Sequence, residues 1–338
     1  MKFFHATWAV GSLGVLAIVA SLAFSGCVCL GGLGRSLTHA NYHGWSDAIV
    51  MSNGKVEAVI VPGVGRVMQF RFAGEQDGPF WENQQMFGRS PDSKSSEWGN
   101  FGGDKTWPSP QADWPKIATR GWPPPPAFDS MPVEWTPIAV NAGTLTSPVD
   151  PYYGIRTTRR IELDLNLPVM KITTTYEKVQ GEPRNVGVWI ITQLKDPVGV
   201  FAPIPKPSRF AEGFNRQSDQ LPANMKFENG LISLTRNRTG SYKIGTDAST
   251  LLWVGEKEIV RIDAPRAAGA EYPDQGSSAE VYTNPDPLTY VELEMLGALH
   301  TMRVGDRIKQ VNTYTLMRRS VPTAEAEARK ILGQFLER

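Results

Sequence analysis

Residues 100–114 read Asn-Phe-Gly-Gly-Asp-Lys-Thr-Trp-Pro-Ser-Pro-Gln-Ala-Asp-Trp, a stretch with too many special residue types for an ordinary strand or helix. Its two glycines free the backbone, and its two prolines, two positions apart, keep the chain extended and prevent a helix. A carboxylate, an ammonium group and an indole lie between them. The pattern predicts a rigid loop that presents polar and aromatic groups, which is where functional residues concentrate.

Tryptophans extend this pattern on both sides. Five of the ten tryptophans lie within residues 98–135: Trp98, Trp107, Trp114, Trp122 and Trp135. A sugar ring has an apolar C–H face and a polar rim, so flat aromatic faces beside short polar side chains indicate a sugar-binding surface. The alternative is that these indoles fill the core beneath long loops, because indoles are highly buried on average. We expect the cluster as a whole to form a site.

The segment from Asn100 to Gln111 resembles the signature of an uncharacterised bacterial family with a galactose-mutarotase-like, or aldose 1-epimerase-like, fold. Ala279–Thr283 and Tyr290–Glu294 are similar to the C-terminal half of that family, and the resemblance spans residues 45–316. It implies an all-β galactose-mutarotase-like β-supersandwich with carbohydrate as the ligand class. It implies no particular reaction, because related folds serve epimerases, lyases, hydrolase domains and binding modules.

Residues 1–26 predict a signal peptide of the lipoprotein type. Lys2 supplies a positive charge, and the apolar run that follows is typical of a secretory segment. Residues 24–27, Phe-Ser-Gly-Cys, resemble a bacterial lipoprotein cleavage box, in which Cys27 receives the lipid. The alternative is an uncleaved membrane anchor, because residues 6–34 carry no charge and are numerous enough to span a bilayer. Both alternatives predict an exported, membrane-anchored protein, in the periplasm or at the outer membrane.

The composition excludes several classes of partner and site. The 338 residues carry a net charge of +1, so we expect no nucleic-acid partner. Cys27 and Cys29 are the only cysteines, so the folded body has no disulfide. A Cys-Val-Cys pair without a nearby histidine is a poor zinc site. We therefore predict no cofactor and no metal site, and leave calcium open.

The rest of the chain divides into three parts. Residues 27–44 are rich in glycine, serine and small polar groups, and predict a linker leading away from the membrane. Residues 45–320 carry strand patterns in quick succession and predict one β-supersandwich that binds carbohydrate. In residues 321–338, Thr323 can cap a helix whose apolar stripe predicts packing on the outside of that domain.

Two local features lie inside the predicted domain. Asn53-Gly54, between two apolar runs, predicts a hairpin turn. Residues 73–137 predict a long irregular insertion rich in proline and tryptophan. A loop of this length is usually functional or disordered, and the tryptophans argue against disorder.

Carboxylates alternate with apolar residues in the strand that begins at Tyr290. Glu292 and Glu294 share its polar face about 7 Å apart, and Glu280 and Tyr282 share a face of the preceding strand. One interpretation is a polar sheet face that holds a sugar, with Glu292 or Glu294 as general base. The alternative is a solvent-exposed face whose carboxylates pair with Arg or Lys across the ladder.

The Gly-Gly segment supplies the other candidate groups. Asp104 could accept sugar hydroxyl groups or act as an acid, and Lys105 could bind an acidic ligand such as a uronate. The alternative for Asp104 is a purely structural bond to backbone N–H groups in its own loop. We expect one wall of the site to contain Asp104, Lys105, Trp107, Gln111 and Trp114, and its floor to contain Glu280, Tyr282, Glu292 and Glu294.

Histidine is scarce, which bears on the reaction. Aldose 1-epimerases typically use a histidine acid beside a glutamate base, and outside the signal segment only His39, His43 and His300 remain. We therefore expect carbohydrate binding without turnover. One alternative is a sugar- or uronate-modifying enzyme of the epimerase, lyase or hydrolase type with a carboxylate base. Another is an envelope scaffold whose tryptophan-rich loops bind a protein partner.

Overall fold

The computed structural model describes residues 34–118 and 120–336 of the chain. The predicted signal peptide and Cys27 therefore lie outside the described residues. Within the described ranges, no helix is long and apolar enough to cross a membrane.

The described chain consists mainly of β-strands. In chain order the strands are β1 (Arg35–Tyr42), β2 (Trp45–Asn53), β3 (Val56–Val61), β4 (Arg66–Phe72), β5 (Asp104–Ser109), β6 (Glu134–Ala139), β7 (Ala142–Val149), β8 (Ile155–Leu163), β9 (Val169–Lys178), β10 (Arg184–Lys195), β11 (Gly199–Pro203), β12 (Asn215–Arg216), β13 (Lys226–Glu228), β14 (Leu231–Leu234), β15 (Tyr242–Thr246), β16 (Thr250–Val254), β17 (Glu258–Asp263), β18 (Ala279–Thr283), β19 (Tyr290–Leu296), β20 (His300–Met302) and β21 (Arg307–Arg318). The helices are α1 (Trp114–Ile117), α2 (Pro126–Asp129) and α3 (Ala324–Leu336), with 3₁₀ turns at Pro62–Val64, Gln84–Met86 and Gln111–Asp113.

These strands form two antiparallel sheets. The larger sheet has eleven strands in the order β1-β2-β3-β4-β5-β10-β19-β18-β15-β12, with β20 paired to β10. The second has ten strands in the order β13-β14-β11-β16-β17-β21-β9-β8-β7-β6. Alternating strands of this kind bury one face of each sheet against the other. The predicted all-β supersandwich is confirmed in its class and two-sheet architecture.

The main core lies between the sheets. Phe70, Phe80 and Leu293 contribute to it from the larger sheet and the segment beside it, and Ile172 and Tyr314 from the second sheet. The rings of Phe80 and Tyr314 have centroids 6.3 Å apart across the interface. One face of the larger sheet therefore packs in the core between the sheets. The opposite face of the larger sheet is called the outer face below.

The predicted hairpin at Asn53-Gly54 is confirmed. It joins β2 to β3, and Gly54 has φ +84°, which few other residues adopt readily. The Asn53 Oδ1 atom accepts hydrogen bonds from the backbone N–H groups of Lys55 and Val56, each 2.9 Å long. The side chain of Asn53 therefore replaces backbone partners that the turn leaves unpaired.

The predicted linker is wrong for residues 35–42. They form β1, an edge strand in register with β2, where Leu37 lies opposite Met51. Leu37 packs against the core between the sheets, and apolar contacts of this kind favour an ordered strand over a solvated linker. The folded domain therefore begins before Trp45, the residue at which we predicted its start.

The predicted rigid loop at residues 100–114 is also wrong in its centre, because residues 104–109 form the interior strand β5. Gly102 and Gly103, at φ +94° and +70°, make the turn that leads into it. Pro108 is tolerated because β5 pairs with β4 only at Asp104, so no ladder bond from Pro108 toward β4 is required. On its other side β5 pairs along its length with β10, where Trp107 lies opposite Trp189.

The predicted C-terminal helix is confirmed as α3. The Thr323 hydroxyl accepts a hydrogen bond of 3.2 Å from the Ala326 N–H group, as an N-cap does. Ala328 and Leu332 are fully buried in a cluster with Leu252 of the second sheet. The helix therefore covers the face of that sheet that points away from the main core.

Candidate functional site

Carboxylates lie on the outer face of the larger sheet because side chains alternate along β19. Val291 and Leu293 enter the core between the sheets, so Glu292 and Glu294 point the opposite way. Glu292 is 8% exposed and Glu294 is 1% exposed. This burial contradicts the solvent exposure that the alternative expected, whereas the pairing of the carboxylates with lysines, which it also expected, is present. The insertion at residues 73–137 supplies part of the cover.

Lys105 and Glu292 form a buried ion pair on this face. The Lys105 Nζ atom lies 3.5 Å from Glu292 Oε1, and Gln193 Nε2 donates to the same oxygen over 2.9 Å. The Lys105 ammonium group also lies 4.9 Å from the ring centre of Trp107 and 5.5 Å from that of Trp98. Burial lowers the pKa of Lys105 to about 8, and burial raises the pKa of Glu292, which Lys105 partly opposes. Burial thus disfavours the charged form of both groups, and the ion pair between them partly offsets this effect.

A second ionic group lies beside the first. The Lys243 Nζ atom lies 2.6 Å from Glu280 and 2.8 Å from Glu294, and Trp189 Nε1 donates to Glu294 over 2.6 Å. Burial alone would lower the pKa of Lys243, but the two carboxylates raise it above its ordinary value. Burial raises the pKa of Glu280 well above its ordinary value, against the effect of Lys243. Lys243 thus neutralises two carboxylates that would otherwise repel each other.

Aromatic rings continue the outer face past Glu292. The ring of Tyr290 lies 4.6 Å from that of Trp81 and 6.3 Å from that of Tyr282, centre to centre. The Tyr282 hydroxyl group bonds to Ser241 Oγ and Asn284 Oδ1 at 3.0 and 2.9 Å. Tyr282 is half-buried, so its ring is the more accessible of the two tyrosines. Flat rings beside charged groups are the surfaces on which sugar rings stack.

A cluster of tryptophans lies next to the Lys105 pair. Its members are Trp98, Trp107, Trp114, Trp122 and Trp189, with neighbouring ring centres 5.2 to 6.3 Å apart. Asp129 Oδ1 accepts from Trp107 over 2.9 Å and from Arg66 over 2.8 Å, and Asp129 Oδ2 accepts from Trp98 over 3.0 Å. The cluster is therefore anchored through one buried carboxylate.

Burial divides the predicted tryptophans between packing and surface. Trp107 is 3% exposed and Trp114 is 0% exposed, as the packing alternative requires, whereas Trp122 is 44% exposed. Trp135 lies apart from the cluster, in β6, where it packs against the core between the sheets. Trp107 and Trp114 are thus packed in a buried cluster beside the Lys105 pair, and they offer almost no surface to a ligand.

Asp104 lies on the opposite face of β5 from Lys105, because adjacent residues of a strand point to opposite faces. Its carboxylate is buried between the sheets, where it pairs with Arg159 and accepts hydrogen bonds from Tyr314 over 2.6 Å and Thr192 over 2.7 Å. The structure therefore does not bring Asp104 together with the other predicted site residues. Gln111 is exposed in the short 3₁₀ turn beyond β5.

Three residues of this face were missed by the sequence analysis. Lys243 lies on β15, a short strand that contains Gly245 and that we did not predict. Gln193 lies on a predicted strand, but its contact with Glu292 depends on the pairing of β10 with β19. Trp81 lies in the insertion, which gave no periodic signal. Strand alternation could have assigned the face of Gln193, whereas the other two depend on long-range packing.

Metal binding has no geometric candidate in the described ranges. Among residues 34–118 and 120–336, no three or more His, Cys, Asp or Glu side chains are grouped so that they could hold a metal ion. Calcium, which the sequence left open, is not tested by this observation.

Comparison with known proteins gives information on the fold. No protein-family model matches the sequence, and a search of curated proteins finds no significant match. Solved structures do match, among them a galactose mutarotase-like protein from Lactobacillus casei, with 9% identity and a TM-score of 0.54 over 80% of this chain and 100% of that one. A galactose mutarotase-like protein from Clostridium acetobutylicum has 11% identity and a TM-score of 0.52, over 85% and 100% of the two chains. A galactose mutarotase related enzyme from Lactobacillus acidophilus has 10% identity and a TM-score of 0.51, over 82% and 98%. The chain therefore has the galactose-mutarotase-like fold that the sequence predicted.

Proposed function

We propose that this protein binds carbohydrate on the outer face of the larger sheet, without converting it, and that it does so as an exported, membrane-tethered protein. The observation that carries the proposal is the buried pair of Lys105 and Glu292. Burying charges costs free energy that a purely structural sheet face would avoid, so perturbed ionic groups beside aromatic rings indicate a functional site.

Carbohydrate is the ligand class that fits these groups. Glu292 offers an acceptor for hydroxyl groups, with the buried Lys105 behind it as its ionic partner, and the half-buried Tyr282 offers a flat ring for the apolar face of a sugar. The similar solved structures are described as galactose mutarotase-like or as a mutarotase related enzyme. This agreement in fold favours a sugar over other small ligands, although it does not specify a reaction.

The absence of turnover is proposed from the partners of Glu292. Among the described residues, its ion pair is with Lys105 and its hydrogen bond is with Gln193; no histidine takes part. A histidine acid beside a glutamate base is the arrangement that we expect of an aldose 1-epimerase. The groups present are suited to holding hydroxyl groups in place.

Lys105 favours a second candidate function. With its pKa lowered to about 8 by burial, it could supply a proton near neutral pH while Glu292 removes one. A sugar- or uronate-modifying enzyme of the epimerase, lyase or hydrolase type would need such a pair. Conversion of a bound glycan, followed by NMR and abolished by Glu292→Gln, would replace the first proposal with this one.

The binding test uses the full chain in detergent. Thermal unfolding is followed with neutral glycans and uronates, each with and without calcium, which remains a candidate cofactor. We expect a ligand-specific rise in Tm, and a loss of at least about tenfold in affinity for Glu292→Gln. The matched control, Glu134→Gln, changes an exposed glutamate of β6 in the other sheet and should leave affinity unchanged.

The absence of any effect of glycans on thermal unfolding would contradict the proposal. If no glycan raises the Tm, the carbohydrate proposal fails. A stable protein partner that co-purifies with the chain and is lost on changing the exposed Trp122 would then support the envelope-scaffold alternative.

The tether is proposed from residues 1–26 and from Cys27, all outside the described residues. Labelling cells with a radioactive fatty acid should label the protein, and Cys27→Ser should abolish the label. Cys29→Ser is the matched control and should keep it. Membrane association without any label would instead support the uncleaved anchor.

A further inference from the structure

An open cleft of about 740 Å³ lies beside the aromatic part of the outer face. Its lining includes His43 of the β1–β2 hairpin, Trp81 and Glu82 of the insertion, Lys195 at the end of β10, and Thr289 before β19. The volume falls in the upper part of the range of about 300–1,000 Å³ that is typical of ligand sites. The sequence analysis assigned no role to any of these residues.

Trp81 gives the cleft a fixed aromatic surface. Its backbone N–H group donates to Gln193 O, and its carbonyl oxygen accepts from the Gly103 N–H group, both over 2.9 Å. Its ring packs on Tyr290 at 4.6 Å, which connects the cleft to the strand that carries Glu292. Trp81 is 8% exposed, and its backbone and one side of its ring are held in place, so little motion is lost when a sugar ring contacts the exposed part of the indole.

Glu82 gives the cleft an unsatisfied hydrogen-bonding atom. Its Oε2 atom accepts from Tyr42 over 2.9 Å and from Gln69 over 3.3 Å, but Oε1 is buried without a partner. The side chain is only 9% exposed, and His43 Nε2 lies 4.0 Å from Oε2. A buried polar atom without a partner is costly and rare, and a ligand hydroxyl group would satisfy it. Burial raises the pKa of Glu82 to about 7, so the group can donate or accept near neutral pH.

The charges of the cleft discriminate between sugar classes. Lys195, the one lysine or arginine among the described lining residues, is already paired with Asp77. Asp196, also in the lining, is paired with Arg236 at 3.1 Å. Burial lowers the pKa of His43, which leaves its imidazole neutral near pH 7. No free cation is thus available among these residues to receive the carboxylate of a uronate.

We propose that this cleft extends the carbohydrate site and that it takes a neutral oligosaccharide, with one ring on Trp81 and one hydroxyl group bonded to Oε1 of Glu82. The inference rests on the proposed carbohydrate binding and deepens it by naming the sugar class and its position. It adds ligand contacts at Trp81 and Glu82 to the contact proposed for Glu292.

The test measures affinities by calorimetry, with the full chain in detergent. The probes are cellotriose, maltotriose, mannotriose, galactotriose and chitotriose as neutral glycans, and trigalacturonate as the acidic one. We expect at least one neutral probe to bind about tenfold or more tightly than trigalacturonate. Trp81→Ala should weaken that binding by at least about tenfold.

A second variant guards against misfolding by Trp81→Ala. Thr289 is exposed at the rim, so Thr289→Arg should fold normally, place a long side chain across the cleft and weaken binding to the same degree. Thr136→Arg makes the same change at an exposed position of β6 and should leave affinity unchanged.

The outcomes separate this inference from the proposed function. Preference for trigalacturonate, or neutral-glycan binding that Thr289→Arg leaves intact and Glu292→Gln removes, overturns the cleft and its sugar class while carbohydrate binding stands. If none of the six probes binds, both proposals fail together.

Discussion

The Nζ atom of Lys105 lies 3.5 Å from Oε1 of Glu292, although the side chains are only 1% and 11% exposed. Neither charge is well hydrated, so each depends on the other for compensation. Replacing both groups by neutral ones removes the need for compensation, whereas removing one leaves an isolated buried charge. The relationship therefore predicts strong coupling between changes at the two positions.

Lys105→Met should lower the free energy of unfolding by about 3 kcal/mol, because it leaves the Glu292 carboxylate buried without its cation. The double variant with Glu292→Gln should recover at least about 1 kcal/mol of that loss. Guanidinium unfolding monitored by fluorescence measures both values. Strictly additive effects would show that the two groups do not interact energetically.

Asp104→Asn should also destabilise the protein by about 3 kcal/mol, because it leaves the buried guanidinium group of Arg159 without a carboxylate. Tyr314→Phe removes one of the three donors to Asp104 and should cost about 1 kcal/mol. Since Asp104 lies between the sheets, Tyr314→Phe should leave glycan affinity unchanged. A large loss of affinity in this folded variant would place Asp104 back in the site.

The outer face was partly predictable from local alternation. The pattern of β19 correctly places Glu292 and Glu294 on one face, since side-chain direction in a strand follows directly from sequence position. The same rule would have separated Asp104 from Lys105 had residues 104–109 been recognised as a strand. Gly102 and Gly103 before the strand and Pro108 within it concealed it. The glycines form the turn before β5, and Pro108 is acceptable because β4 does not pair with β5 at that position.

The rest of the site depends on contacts between distant parts of the chain. Lys243 meets Glu294 because β15, β18 and β19 are adjacent in the sheet, a topology that strand patterns do not specify. Trp81 reaches Tyr290 from within the insertion, where no periodicity exists to read. The burial of Glu292 and Glu294 depends on the same long-range contacts. The sequence of β19 alone therefore could not show whether this strand face is buried or exposed to solvent.

The tryptophan cluster should respond unequally to truncation. Trp107→Ala should cost about 3–5 kcal/mol of stability, because it removes a buried ring and a donor to Asp129. Trp122→Ala should cost less than about 1 kcal/mol, because that ring is 44% exposed. Thermal unfolding of the two variants measures the difference. Equal losses would mean that Trp122 is buried in solution by something the isolated chain does not show.

Glu82 should make the protein less stable as the pH rises, whereas an ion-paired carboxylate with a lowered pKa would make it more stable. Burial raises its pKa in the folded protein to about 7, from an ordinary value of 4.5. The folded state therefore holds this proton to a higher pH than the unfolded state does. Its stabilising contribution is complete below the unfolded pKa and is lost as the pH rises to about 7.

Glu82→Gln removes this titration and keeps an oxygen that can accept from Tyr42. We expect the stability of the wild type, relative to the variant, to fall by about 3 kcal/mol between pH 4.5 and pH 8. Burial lowers the pKa of the neighbouring His43, but this histidine is present in both proteins, so its contribution largely cancels in the difference. Urea unfolding of both proteins across this range measures the effect. A difference that stays constant with pH would mean that Glu82 ionises as freely as a solvated carboxylate, and that its unpartnered Oε1 is satisfied by water rather than kept for a ligand.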